Sequence, residues 1–310
     1  MLEIEQLMKY EVAGDPMRGT KWIRRTPGKI AAILNAAGID ISRNTVSTLL
    51  KQLGFSLKGN RKQIATQSSP DREEQFRTIQ QLRQSFEEAG NPIISVDTKK
   101  KELIGLFHQP GRVWTRQPIA VYDHDFRSDA EAIAVSYGIY DLLTNEGFIN
   151  VGLSAETPEF AVNSIAKWWR YRGHSHYRSK QQLLILADCG GANGYRPRAW
   201  KYQIQGKLSD RYGLSVTAAH YPSGASKWNP VEHRLFSEIS KNWAGRPLES
   251  LETMLHYIQS TTTSGGLRVR SYLDTKDYQK GIRISDAQIK QLSLEKAPTL
   301  AKWNYTISPR

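Results

Sequence analysis

The chain has 310 residues, one cysteine, and 13 more lysines and arginines than acids. That length suits about two domains, each with its own core. The lone Cys189 excludes an internal disulfide and a thiolate zinc site, and no apolar run is long enough to span a bilayer. The start, MLEIEQLMKYEVAGDP, lacks the basic end and apolar middle of a secretory signal, so the expected location is the cytoplasm.

The positive charge is concentrated. Between Pro16 and Ala65 stand ten basic residues and one acid, Asp40, a block that attracts a polyanion, most often nucleic acid. Within it, TPGKIAAILNAA predicts a helix capped by Thr26, with Pro27 at its first position and Ile30, Ile33, Leu34 and Ala37 on one face. Gly38 ends it. Ser42 caps a second helix with Val46, Leu49, Leu50 and Leu53 inward, stopped by Gly54. Two short helices around a tight turn in the most basic stretch predict a helix-turn-helix. Its second helix would present Arg43, Asn44, Thr45, Ser47, Thr48 and Lys51 to bases and phosphates in a major groove. An ordinary helical hairpin is the alternative. Lys58 to Ser69, with Arg61 and Lys62, is polar and unpatterned, a linker able to follow a phosphate backbone.

Asp71 to Ala89 predicts an amphipathic helix with Phe76, Ile79, Leu82 and Phe86 inward. After Pro92 the run Ile93, Ile94, Val96 predicts a buried strand that delivers Asp97 to its C-terminal edge. Lys99, Lys100 and Lys101 follow, either a solvated charge run or contacts to a DNA backbone. Residues 103–132, with Pro110, Gly111, Pro118, Asp123 and Asp125, predict an irregular insertion. AIAVSYGIYDL and GFINVGLS form a hairpin around LTNE, and Thr157 to Arg172 a helix with Trp168 and Trp169 in the core. Gln182 to Ala187 reads as a strand buried on both faces that ends in Asp188 and the pliable CGGANG. A helix from about Arg198 to Tyr212, the strand LSVTAAHYP and the helix NPVEHRLFSEISKNW complete the series. In the last, Asn229 is the expected N-cap, Pro230 the first residue and Glu232 the third.

This order is the layout of a ribonuclease H-like α/β fold: a mixed sheet with helices on both faces, preceded here by a small all-α helix-turn-helix domain. In it the first and fourth strands lie side by side, making Asp97 and Asp188 neighbours, and Glu232 closes the group from its helix. Crowded carboxylates need a cation, and hard oxygen ligands suit Mg2+ or Mn2+, two ions per active site about 3.5–4 Å apart in phosphoryl transfer. Each acid also has an ordinary explanation. Asp97 and Asp188 could be turn formers, and Glu232 could complete a capping box with Asn229; only the three together point to catalysis. His220 and His233 are supporting residues at best, and Lys227 and Trp228 stand where DNA could be touched.

NPVEHRLF after HYPSGASKW resembles the segment that carries the third catalytic acid in mariner-like insertion-sequence transposases. ISVDTKKKE, YGIYDLLTNEGFINVG, LLILADCGGANGYR, HYPSGASKWNPVEHRLFS and WNYTISPR resemble more closely a bacterial DDE transposase family first described from Rhodopirellula, from about Gly14 to Arg310. The resemblance implies a catalytic triad of Asp97, Asp188 and Glu232. It also implies, as DNA partners, the inverted-repeat ends of a mobile element and a target, and a homodimer assembled on DNA, associated with the nucleoid while bound. Members usually carry another helix-turn-helix ahead of the matching part, so it also implies an end-recognition module cut short before Asp15. The expected domains are 1–65 (helix-turn-helix), 66–91 (linker and helix), 92–247 (catalytic) and 248–310 (a helical and strand extension). The expected function is DNA cleavage and strand transfer in transposition. The alternatives are a catalytically inactive or truncated DNA-binding relative and a structure-directed nuclease.

Overall fold

The computed structural model describes residues 12–15, 20–23, 26–56 and 70–310. The chain divides into two units, Met1–Ile64 and Ala65–Arg310. In the first, β1 (Val12–Asp15) pairs antiparallel with β2 (Thr20–Ile23), a hairpin that the sequence reading did not anticipate. Helices α1 (Pro27–Ala36) and α2 (Arg43–Gln52) form between the expected signals. The Thr26 hydroxyl accepts from the Lys29 amide at 3.3 Å, and the Ser42 hydroxyl from that of Thr45 at 3.1 Å, each satisfying an N–H that the first turn leaves without a partner. Gly38 supplies the left-handed φ of +84° that turns the chain between them. Ile30, Ala31, Leu34 and Val46 form the buried centre of this helix pair. Ala37, expected on the apolar face, is exposed where the helix ends. The linker bearing Arg61 and Lys62 lies outside the described residues.

The second unit is a nine-stranded mixed sheet with helices on both faces. Its centre is β3 (Ile93–Thr98), β5 (Ala132–Asp141), β6 (Glu146–Gly152), β7 (Gln182–Ala187) and β8 (Ser215–His220), in the order β6-β5-β3-β7-β8. The first three are antiparallel neighbours, whereas β3, β7 and β8 run parallel. That is the ribonuclease H-like topology. Because alternate residues of a strand face opposite ways, Ile94 and Val96 enter the core under α4 (Pro158–Trp168). Ile93 packs on the other side, under α3 (Arg72–Glu88). Trp168 and Trp169 are each 2% exposed, core residues as expected.

Two features depart from the sequence reading. Glu102–Ile104 forms a short strand, β4, on the end of β5, and the irregular segment begins only after it. The residues after 247, expected as a helical and strand extension, join the sheet itself: β9 (Arg268–Asp274) lies parallel to β6 and β11 (Asn304–Ile307) antiparallel to β8, with β10 (Leu294–Lys296) outside it. They widen the sheet at both sides. Among the described residues no helix is long and apolar enough to cross a membrane.

Candidate active site

Register places the two aspartates. Val96 on β3 and Ala187 on β7 are directly paired across parallel strands. The next residue on each strand is Asp97 and Asp188, so both carboxylates leave the same end of the sheet on adjacent strands, which lie about 4.8 Å apart. Glu232 arrives from the opposite direction, on a π-helical turn Glu232–Phe236 that runs into helix α5 (Ser237–Asn242). What lets that helix approach is glycine. A Cβ on Gly138, the partner of Asp97 on β5, would stand 2.2 Å from the Phe236 ring, and one on Gly147 would stand 2.4 Å from Leu235.

Beneath the carboxylates, Asn229 is fully buried. Its side chain accepts from the Ser95 hydroxyl, and donates to the Val96 carbonyl at 3.3 Å and to Asp188 Oδ1 at 3.2 Å. Ser95 Oγ in turn accepts from the Val231 amide at 2.9 Å. Asn229 does stand just ahead of a helix that opens on Pro230, with Glu232 third, as expected, but its side chain is spent on the floor of the site and not on the first-turn amides. Among the described residues no hydrogen bond runs from the Glu232 side chain back to Asn229, so the capping-box explanation of Glu232 falls.

The electrostatics follow from crowding in a partly desolvated place. Burial, then the charge of Asp188, push the Asp97 carboxyl up to about 8, although the Thr98 amide donates to it at 2.8 Å. Burial and the Glu232 charge raise Asp188 to about 6, against the Asn229 amide. Burial also raises Glu232, offset by His233, Lys99 and a hydrogen bond with Asp97. Without a cation, the Asp97 carboxyl therefore keeps its proton near neutral pH. Among the described residues no three His, Cys, Asp or Glu side chains are gathered as a ready metal shell. The donor set nevertheless fits a hard divalent cation: three carboxylates that can all ionise only when a positive charge joins them.

His220 is fully buried, with Nδ1 bonded to the Asp188 carbonyl at 3.1 Å and Nε2 to the Tyr305 hydroxyl at 3.1 Å. Burial lowers it to about 4, so it is a neutral strut for the Asp188 backbone. His233 is exposed and donates to the Lys227 carbonyl, pinning the loop before Glu232. Cys189 gives its thiol to the Tyr221 carbonyl at 2.7 Å, and burial pushes it up to about 11, so it stays a protonated packing residue.

The expected DNA contacts divide. Lys99 is not a free surface cation: it pairs with Glu102, lies 4.6 Å from the Trp243 ring and is 10% exposed, so it lines the site instead. Lys100 is exposed. Trp228 is 44% exposed, with Lys227 Nζ 4.1 Å and the Arg72 guanidinium 4.9 Å from its ring. On α2, Arg43, Asn44, Thr45 and Lys51 are exposed and Ser47 is half-buried. The residue that the sequence reading passed over is Glu156, whose charge also reaches Asp97. Its signal was faint, an acid just ahead of a helix start.

A sheet of this topology that concentrates carboxylates at two adjacent strand ends, with a third on the helix covering them, is the hallmark of the DDE class. The chain belongs to the family described as "Rhodopirellula transposase DDE domain", whose model matches residues 3–309, and its function is related to transposition. No curated protein matches it. Solved structures similar to it include a "Mos1 transposase paired-end complex with left transposon end", at 15% identity and TM-score 0.44, covering 83% of this chain and 68% of that one. Another is the "Mos1 Strand Transfer Complex", at 14% identity and TM-score 0.45, with the same coverage.

Proposed function

We propose that the chain cuts DNA at the inverted-repeat ends of a mobile element and joins the freed 3′ ends to a target, by metal-dependent phosphoryl transfer at Asp97, Asp188 and Glu232. The observation that carries this reading is the β3–β7 register, which sets the two aspartates side by side beneath the helix of Glu232. Asp97, Asp188 and Glu232 would hold the divalent cation, Mg2+ or Mn2+, that this chemistry needs. Such ions activate the attacking oxygen and neutralise charge on the leaving one.

The chain's own groups do the rest. Asn229 fixes the Asp188 carboxylate, His220 its backbone, and Lys99 adds positive charge beside Glu232. Lys100, Lys227 and Trp228, all exposed, would touch the strand being cut. Arg43, Asn44, Thr45, Ser47 and Lys51 on α2 would read the element end, and two copies would hold two ends together.

The test is nicking of a labelled duplex that carries the element end flanked by genomic sequence. Wild type should nick it only with Mg2+ or Mn2+. Asp97→Asn should lower nicking at least about 10³-fold while binding the duplex with unchanged affinity. Nicking that survives in Asp97→Asn defeats the assignment, and a wild type that binds but never cuts leaves a DNA-binding relative.

A further inference from the structure

The C-terminal ends of β7 and β8 lie at the edge of the sheet that carries Asp97 and Asp188, and β11, antiparallel to β8, begins at that edge. There, between the turn after Asp188 and the chain that enters β11, is a cavity of about 300 Å3 lined by Tyr195, Lys201, Leu294, Lys296, Lys302 and Tyr305. Tyr195 connects it to the carboxylates: its ring is 6.1 Å from that of His220, whose Nδ1 bonds to the Asp188 carbonyl at 3.1 Å. Lys296 stands on β10, three strand spacings or about 14 Å from β7.

Of the three ammonium groups around this space, one meets a carboxylate among the described residues: Lys302, exposed, pairs with Asp71 at 2.7 Å. Lys201 is half-buried on the helix Arg198–Ile204. Its ammonium donates to the Tyr195 carbonyl and lies 5.0 Å from the Tyr305 ring, and among the described residues it meets no other acceptor. Lys296 is exposed and, among the described residues, makes no hydrogen bond or ion pair. Burial, then the charge of Lys296, pull Lys201 below the usual lysine range. Half-buried Lys99, Lys167 and Lys207, in contrast, each meet a carboxylate, of Glu102, Asp274 and Glu159. Partly desolvated cations that face one another without an acid are unfavourable, and an anion in the cavity relieves them.

We propose that this cavity binds a phosphate of the DNA backbone, held by Lys201 and Lys296 with Lys302 at its rim. The inference rests on the cleavage reading above, which lays a DNA strand across this edge, and adds to it a contact away from the metal ligands. An ammonium group is a point charge with rotatable donors, so the contact fixes where the strand lies and not which base it carries. Along B-form DNA about 14 Å spans roughly four phosphates of one strand, so the contact falls a few nucleotides from the cut.

The test measures binding of the full chain to the flanked element-end duplex by fluorescence anisotropy, without divalent cation so that nothing is cut. A series of duplexes carries a neutral methylphosphonate at one position at a time. In wild type, one position a few nucleotides from the cut should weaken binding roughly tenfold. In Lys201→Gln and in Lys296→Gln the same position should matter by less than about twofold, while the penalties elsewhere persist. The slope of log affinity against log salt should become shallower by about one in each variant. Lys296→Gln breaks no contact among the described residues, so it decides the matter even where Lys201→Gln fails to fold. Penalties and salt slope that match wild type in Lys296→Gln overturn the proposal. Calorimetry with inorganic phosphate separates the two sources of the anion: phosphate bound by wild type and not by Lys296→Gln, with identical methylphosphonate penalties in both, makes this a site for a free anion and overturns the DNA assignment. A wild type that binds no element-end duplex overturns the cleavage reading together with this one.

Discussion

Asn229 shows how one side chain serves several masters. It is shared among Ser95, the Val96 carbonyl and Asp188, so Asn229→Ala leaves buried polar atoms on two strands without partners, at about 1–3 kcal/mol. Chemical denaturation should show that loss. An asparagine just before a helix that opens on proline gives the same signal whether its side chain caps the helix or joins a buried network, and only the position of β3 beneath it decides. Asp97 yields a prediction with a definite sign. Its carboxyl is raised from 3.8 to about 8 in the fold, so across that window the native state keeps a proton that the unfolded chain has released. Raising the pH therefore favours unfolding of the metal-free protein until about pH 8 is passed. Asp97→Asn removes this titration. Its advantage in metal-free Tm over wild type should grow from pH 6 to pH 8 and then level off, by about 2–4 °C for each kcal/mol relieved. An advantage that stays flat with pH would show that Asp97 is not proton-bearing in the fold.

At the scale of elements, the site depends on how closely one helix settles on the sheet. Gly138 and Gly147 pave β5 and β6 where Phe236 and Leu235 come down. Gly138→Ala would force the Phe236 ring away from a 2.2 Å approach, an overpacking cost of about 1–3 kcal/mol. The larger effect should be on chemistry, since the same turn carries Glu232. Nicking should fall by at least about tenfold while DNA binding is kept, and Phe236→Leu in the same chain should restore part of it by making room. Strands β3 and β7 were legible because a short apolar run that ends in an acid reads the same in sequence and in space. Their pairing followed from the element order. The glycine floor was not legible, because Gly138 within a strand looks like a bulge or a weak point until the residue above it is known. Lys99 misled for a related reason: a run of three lysines looks solvated, and nothing nearby in sequence announces that Trp243, far along the chain, will cover the first of them.

At the scale of the whole molecule, the sheet is closed by residues that sequence order would treat as a tail. β11 seals the open side of β8, where an unpaired edge would invite association with another chain, and brings Tyr305 onto His220 and hence behind Asp188. The same strand reaches across to α3. Gln75 is fully buried on the helix face expected to be apolar, and it exchanges two hydrogen bonds with Asn304: Nε2 to Oδ1 at 2.8 Å, and Asn304 Nδ2 to Gln75 Oε1 at 2.7 Å. Gln75 Nε2 also donates to the His220 carbonyl at 2.9 Å, so helix, site strand and C-terminal strand are tied at one point. A polar residue among Phe76, Ile79 and Phe86 could not be assigned a partner 229 residues away from sequence alone. The link is testable as a double-mutant cycle. Gln75→Leu or Asn304→Leu alone strands a buried amide and should cost about 1–3 kcal/mol. The double variant removes both amides together and should cost less than the sum of the singles by about 1–2 kcal/mol in denaturant midpoint experiments. Strict additivity would mean that the two amides do not act as a pair and that the C-terminal strand is held by its backbone ladder alone.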